Sequence, residues 1–290
     1  MRFRFTVLVV VIGLLSGLVI GVAAQEDDTD APRTYTAYVP TWYRGGNPLP
    51  LVVVLHGAGG NGLSMAQLTG FEEFAETEGF LVLYPDGLNL VWNDGQMGEP
   101  EPDDVGFLSG FIKGLIAAGE ADPERIYVVG FSNGGSMTYR LACETPDIIT
   151  AVAVVGMAMP NMWVENCGDG DPMPILIMHG TNDQVVPFEG RYNGLSPAAA
   201  AAHWADYNGC DEGRRVVLMP DIAEDRTRVR HTSYQGCPEN GAVEFYEIIG
   251  GGHTWPSQRE NLAYGRVSYD IDATEVIWRF FAQFGEQTEN

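Results

Sequence analysis

Gly130-Phe131-Ser132-Asn133-Gly134 is the segment of this chain whose residue types and spacing point most directly to chemistry. It follows a β-branched run, Ile126 to Val129, and opens a helical pattern at Gly135. A serine on a sharp strand-to-helix turn, with a glycine two before and two after it, exposes its hydroxyl as a nucleophile, because the small neighbours relieve the crowding of the turn. The turn also aims backbone N–H groups and a helix N-terminus at the place where an oxyanion would develop. A hydroxyl is a weak nucleophile until a base takes its proton, and an imidazole base needs a carboxylate to fix its tautomer. On a turn of this kind the partners follow in the order Ser, acid, His.

Two residues meet that requirement. Asp183, in His179-Gly180-Thr181-Asn182-Asp183, lies just past the apolar run Pro174 to Met178. His253, in Gly250-Gly251-Gly252-His253, lies just past Val243 to Ile249. Both fall on loops at strand C-terminal ends, the edge where sites assemble in open α/β sheets. Asp171 precedes its strand and belongs at the opposite edge, and Glu189 comes late in the loop. His203 sits on a helical pattern and His231 on an alternating strand, whereas His56 and His179 precede glycines at strand ends and read as structural hydrogen-bonders. No two histidines share a ligand spacing on one helix, so no metal site is expected, and hydroxyl chemistry of this kind needs no cofactor. Two backbone donors are expected for the oxyanion, the N–H of Asn133 and that of Ala58 in His56-Gly57-Ala58-Gly59-Gly60, with Gly59 the alternative to Ala58. Trp92 and Trp255 are candidate substrate contacts in loops at the same edge, near Met157, Met159, Met162 and Trp163.

The elements that must hold these residues are read from short aliphatic runs alternating with helical patterns, the signal for a mostly parallel sheet with helices on both faces. Strands are expected at Leu51 to Leu55, Phe80 to Tyr84, Ile126 to Gly130, Ala151 to Val155, Pro174 to His179 and Val243 to Ile249, with an antiparallel edge at Tyr35 to Val39. Near-continuous runs such as Leu51-Val52-Val53-Val54-Leu55 suit strands covered on both faces. Helices are expected at Phe71 to Glu78, Val105 to Ala118, Gly135 to Glu144, Pro197 to Tyr207 and Ala273 to Gln283, the last with Asp272 as N-cap and Glu275 three residues on. Asp103 and Asp104 sit where a helix starts, with capping as their expected duty. The segment Gly156 to Met173 is too short for a lid domain.

The motifs together are similar to those of the secreted polyhydroxybutyrate depolymerase and feruloyl or acetylxylan esterase group of α/β-hydrolases. They are His56-Gly57-Ala58-Gly59-Gly60, Tyr84-Pro85-Asp86-Gly87, Asp104-Val105-Gly106-Phe107, Gly130 to Gly135, His179 to Asp183, and Gly251-Gly252-His253-Thr254-Trp255-Pro256. The match runs in order from Thr34 to Phe284. The resemblance implies an α/β-hydrolase fold, hydrolysis of a small or polymeric ester, Ser132 as nucleophile, Asp183 as acid and His253 as base. The motifs are specific for ester hydrolysis and not for one ester. A serine peptidase with the same triad, or a non-catalytic binding protein on the same fold, are the competing classes. No appended polymer-binding module is visible.

Composition bounds the rest. The chain has 290 residues and a formal net charge of -23, from 16 Lys and Arg against 39 Asp and Glu. So acidic a surface disfavours nucleic acid, whose sequence-independent affinity comes from clustered basic residues. Arg2 and Arg4 precede an apolar run from Val7 to Ala24 that ends in Val22-Ala23-Ala24, so residues 1–24 read as a secretory signal, 25–33 as a solvated leader and 34–290 as one hydrolase domain. A secreted, extracellular or periplasmic protein is expected, without stable membrane association after cleavage, and as a monomer; an uncleaved anchor is the alternative, since the run approaches the ~20 residues that span a bilayer. Export makes Cys143, Cys167, Cys210 and Cys237 an even set for two disulfides. Sequence-nearest pairing, Cys143 with Cys167 and Cys210 with Cys237, is favoured among three connectivities that spacing leaves open, and the family resemblance also favours Cys210 with Cys237.

Overall fold

The computed structural model describes residues 6–10, 18–24, 33–96, 102–168, 170–190, 193–257 and 264–285. The strands are β1 (Thr6–Val10), β2 (Leu18–Ala24), β3 (Arg33–Tyr38), β4 (Leu49–Leu55), β5 (Leu81–Pro85), β6 (Ala121–Phe131), β7 (Ala151–Val155), β8 (Met159–Pro160), β9 (Ile175–Gly180), β10 (Gly194–Leu195), β11 (Arg214–Leu218), β12 (Arg228–Tyr234) and β13 (Val243–Ile249). The helices are α1 (Gly62–Thr69), α2 (Phe71–Glu78), α3 (Asp104–Ala117), α4 (Asn133–Glu144), α5 (Asn161–Asn166), α6 (Pro197–Tyr207) and α7 (Ala273–Phe281).

Strand composition explains the layers. In β4 every second residue faces one side: Leu51, Val53 and Leu55 join a core with α3, α4 and α6, while Val52 and Val54 join a second core with α1, α2 and α7. A strand apolar at all these positions can only sit in the middle of a sheet covered on both faces. The order in the main sheet is β1-β2-β3-β5-β4-β6-β7-β9-β13-β12-β11. Pairing is parallel from β5 through β13 and antiparallel at both flanks. The chain steps from β4 outward to β5 and then crosses back to β6 on β4's other side, so the order reverses at β4 and β6. A crevice opens at such a switch point, beyond the C-terminal ends of the strands.

The expected strands and helices are present, most within a residue or two of the expected limits. The helix at Ala273 starts on Asp272, whose carboxylate accepts from the N–H groups of Thr274 and Glu275. Asp103 caps α3 through Gly106 N–H at 2.8 Å. Asp104 is the first residue of the helix rather than its N-cap, and its buried side chain is ion-paired with the buried Arg33 and accepts from Asn93 N–H at 2.6 Å. It thereby ties the start of β3 to the loop before α3. Helix α1, beginning among glycines and capped by Asn61 with Ser64, was not expected, nor was β11, exposed at all five positions. Within the segment read as a secretory signal, β1 and β2 pair as a hairpin, and β2 pairs with β3. The disulfides are Cys143–Cys167, joining the end of α4 to the end of α5, and Cys210–Cys237, joining the end of α6 to the loop before β13.

Candidate active site

The backbone prepares Ser132 before any partner does. Its φ is 54° and ψ is −121°, a region that a residue with a β-carbon enters only at a cost of about 1–3 kcal/mol. The surroundings hold it there: Ser132 N–H donates to Val155 O at 2.9 Å, and its own carbonyl accepts from Ser136 N–H at 3.1 Å as α4 begins. The flanking glycines are required by contact. A β-carbon on Gly130 would lie 2.0 Å from Gly134 O, and one on Gly134 would lie 2.3 Å from Leu55 O. Crowding of strand against helix is thus what reserves both positions for glycine, and Ser132 is left half-buried at the crevice mouth.

Asp183 and His253 arrive from the neighbouring strands β9 and β13. His253 Nδ1 and Asp183 Oδ2 are 2.6 Å apart, with both side chains buried. The other carboxylate oxygen, Oδ1, accepts from Val185 N–H at 2.8 Å and Val186 N–H at 2.7 Å. With Asp183 on Nδ1, the imidazole carries its proton there and leaves Nε2 as the acceptor. The His253 ring lies 4.9 Å from the ring of Phe131, the residue before Ser132. Its Cε1 is 3.3 Å from where a β-carbon on Gly156 would stand, and a side chain there would crowd the imidazole. The loop is set by pairing: His253 N–H donates to Tyr264 O at 2.7 Å and Gly252 N–H to Arg266 O at 2.9 Å.

His179 is the other imidazole at this carboxylate. Its Nε2 is 2.9 Å from Val186 O and 3.4 Å from Asp183 Oδ2. Burial pushes its pKa down, so the ring is neutral and donates Nε2–H to the loop that carries Asp183. This is the hydrogen-bonding role expected of it.

The segment after β4 supplies the second wall. A β-carbon on Gly57 would be 3.2 Å from Ser132 Cβ, so the two turns lie side by side. Gly59 N–H is taken by Leu90 O at 2.7 Å and Gly60 N–H by Gly57 O at 3.0 Å. Among the described residues no acceptor is bonded to the N–H of Ala58 or of Asn133. Ala58, rather than Gly59, therefore has its donor available. His56 holds this turn in place: Nδ1 is 2.8 Å from Gly57 O, and Nε2 accepts from Gly87 N–H at 2.9 Å. That pattern requires a neutral ring, and burial lowers its pKa accordingly.

Sequence reading of the tryptophans needs correction. Trp92 is 3% exposed and donates its indole N–H to His56 O at 3.0 Å; Trp255 is 1% exposed and donates to Thr274 Oγ1 at 3.0 Å. Both rings are core, and neither is presented to the crevice. Their loops come to this edge as expected, but a buried ring that must satisfy its N–H finds its partner inside. Met159 and Trp163 are likewise buried, and Met157 alone of that group lines an open cavity. What sequence reasoning missed is the side chain of Asn133. Its Oδ1 accepts from Trp92 N–H at 2.7 Å and its Nδ2 donates to Trp92 O at 3.2 Å, so it clamps the backbone at Trp92. An amide directly after the serine was the visible signal. Among the described residues no group of three or more His, Cys, Asp or Glu is placed to hold a metal ion.

Comparison with known proteins follows from this geometry. Residues 33–163 match the family model described as esterase PHB depolymerase. The chain is 33% identical over 229 residues to the putative esterase NocK of Nocardia uniformis subsp. tsuyamanensis, covering 71% of this chain and 65% of that one, just under two thirds of its length. It is 31% identical to the probable feruloyl esterase C of Aspergillus niger, covering 76% of each. Among solved structures, an acetyl xylan esterase from Aspergillus awamori superposes with a TM-score of 0.61 at 16% identity, covering 96% of this chain and 99% of that one. A likeness at that identity speaks for the fold, which is the α/β-hydrolase fold.

Proposed function

The chain belongs to the esterase PHB depolymerase family, and on that premise we propose that it hydrolyses carboxylic esters with Ser132, Asp183 and His253 as its catalytic triad. The observation that carries this reading is the 2.6 Å bond between His253 Nδ1 and Asp183 Oδ2, at the same strand ends as the strained Ser132 turn. It leaves His253 Nε2 as the acceptor for a serine proton.

The reaction is acyl transfer in two steps. Ser132 Oγ attacks the ester carbonyl as His253 takes its proton, and the Ala58 and Asn133 N–H groups receive the oxyanion. Collapse of the tetrahedral intermediate expels the alcohol, protonated by His253, and leaves Ser132 acylated. Water, deprotonated by the same imidazole, then releases the acid and restores the serine. Asp183 stays ionised throughout and fixes the His253 tautomer; no cofactor enters. The substrates proposed are feruloyl or acetyl esters on plant cell-wall polysaccharide, or polyhydroxyalkanoate-type polyesters, in keeping with the names carried by the relatives.

The protein acts outside the cell. The N-terminal composition and two disulfides support export, with cleavage after Ala24, which would make β3 the edge of the sheet. Among the described residues no helix is long and apolar enough to cross a membrane.

Ser132→Ala tests the assignment on p-nitrophenyl acetate. Turnover falls to background while the melting temperature holds; retention of wild-type turnover refutes the nucleophile.

A further inference from the structure

The main sheet ends at β11, whose outer side meets no further strand among the described residues. Which backbone groups face outward follows from the ladder with β12. Met219 N–H donates to Val229 O at 2.8 Å and Gln235 N–H to Gly213 O at 2.9 Å. The odd-numbered residues of β11 therefore bond inward, and the even-numbered ones, Arg214, Val216 and Leu218, turn their N–H and C=O away from the sheet. We propose that this edge pairs with the same edge of a second copy of the chain, antiparallel about a two-fold axis at Val216, to give a homodimer with one continuous sheet. The dimer replaces the monomer expected from the sequence, and the inference stands apart from the ester-hydrolase reading.

Composition marks β11 as an edge open to pairing. Edges that stay single are guarded by a proline, a bulge or a charge in mid-strand. Val216-Val217-Leu218 carries none of these, and the register with β12 runs without a shift from Arg214 to Leu218. Val216 is 51% exposed and Leu218 53%, on one face of the strand, while Val217 is exposed on the other. A strand laid along this edge would satisfy the outward backbone groups and cover all three side chains.

Self-complementarity selects the partner. Three outward residues at alternate positions all bond only when the strand meets its own reverse, which sets Val216 opposite the partner's Val216 and Arg214 opposite the partner's Leu218; a slip of two residues either way loses one of the three. On the other face Arg215 then meets the partner's Val217. No arginine faces an arginine directly, and each arginine stem lies over an aliphatic side chain. A parallel, in-register pair would instead bring like charges together at both arginines, which is unfavourable. Charge also permits the approach. Residues 211–230 contain five acidic residues and five arginines, a neutral stretch in a chain of net charge -23, so two copies repel least here. Because β11 runs in the same direction as β13 and β9, the antiparallel join points the two crevices to opposite ends of the combined sheet and leaves each open.

Sedimentation equilibrium of the purified protein over a concentration series tests the state. The weight-average mass should rise with concentration toward twice that of the chain. Val216→Lys, which sets two lysines directly opposite each other at the axis, should abolish that rise and leave the melting temperature unchanged. Cysteine cross-linking reads the register, since among the described residues every native cysteine is in a disulfide. Opposite residues of a hydrogen-bonded pair lie about 5.5 Å apart at Cα, within reach of a disulfide, so Val216→Cys should give a covalent dimer on mild oxidation. Leu218→Cys should not link to itself, its two copies standing about 14 Å apart, but should link to Arg214→Cys when the two variants are mixed. A monomer at every concentration, a dimer that survives Val216→Lys, or self-linking of Leu218→Cys as ready as that of Val216→Cys overturns the proposal. Growth beyond the dimer overturns it too, since open-ended growth requires a head-to-tail contact such as β11 on β3, the edge that signal cleavage would expose.

Discussion

Replacing Asp183 by Asn changes one atom and reverses the site. Asp183 Oδ1 is held by two backbone N–H groups, at 2.8 Å from Val185 and 2.7 Å from Val186, and Oδ2 faces His253 Nδ1 at 2.6 Å. An amide placed there must keep its oxygen on the two N–H donors, since turning NH₂ toward them would set donor against donor at two bonds. The NH₂ group then faces Nδ1 and can only donate to it. His253 responds by moving its proton to Nε2, the nitrogen that must accept from Ser132. The geometry survives and the base is lost. A tautomer reversal of this kind costs about 10⁴ in kcat, which is ~5.4 kcal/mol of transition-state stabilisation. Because the backbone donors beside Ser132 are untouched, KM should move by less than about threefold. Steady-state hydrolysis of p-nitrophenyl acetate measures both constants, with thermal unfolding to show that the fold is intact. A variant that folds and retains kcat within tenfold of wild type would refute the assignment of Asp183 as the group that fixes the base.

Gly134→Ala should destabilise the fold by on the order of 3 kcal/mol, read as a lower urea midpoint, because its β-carbon meets backbone carbonyls, Leu55 O at 2.3 Å and His56 O at 2.6 Å; an unchanged midpoint would contradict the crowding argument. Stability should fall as pH drops below about 6.5. Burial lowers the pKa of His56, His179 and His203 beneath that unfolded value, so the unfolded chain binds protons there that the native state refuses, and stability rises with pH through the window. Urea titrations between pH 5 and 8 test this, and a midpoint flat across the range, or one rising toward pH 5, would contradict it. Removing the Cys210–Cys237 bridge by a double Ser substitution releases a loop of 27 residues' separation and should cost about 2–4 kcal/mol; a melting temperature unchanged from wild type would show the bridge to be idle.

The sequence was most legible where chemistry and topology coincide. A strand apolar at every position is a buried parallel strand, and residues just past such strands gather at one edge, so Ser132, Asp183 and His253 could be placed before any coordinate was known. The elements that escaped notice are those whose sequence carries little burial signal. β11 is exposed along its whole length, and α1 starts among glycines that read as part of a turn. The two tryptophans misled for a different reason. Their position on loops at the right edge says nothing about which way a ring turns, and an indole N–H within reach of His56 O or Thr274 Oγ1 turns inward. Asp104 was read as a cap because capping is local, whereas its partner Arg33 lies 71 residues away. Long-range pairs of that kind leave no local pattern.

One consequence of the fold is how the oxyanion donors are fixed. Ala58 sits on an exposed turn, and an exposed turn is usually the most mobile part of a scaffold. Here each neighbour is bonded: His56 to Gly57 O and Gly87 N–H, Gly59 to Leu90 O, Gly60 to Gly57 O. The segment from Gly87 to Trp92, which receives these bonds, is fastened in turn by Trp92, through its indole to His56 O and through its backbone to the Asn133 amide. Asn133 is the residue whose N–H is the other oxyanion donor. The two donors therefore belong to one closed circuit of hydrogen bonds that passes through three separate stretches of sequence. A donor pair held this way needs no rearrangement when charge develops on the carbonyl oxygen, which is the condition under which such donors lower a barrier most.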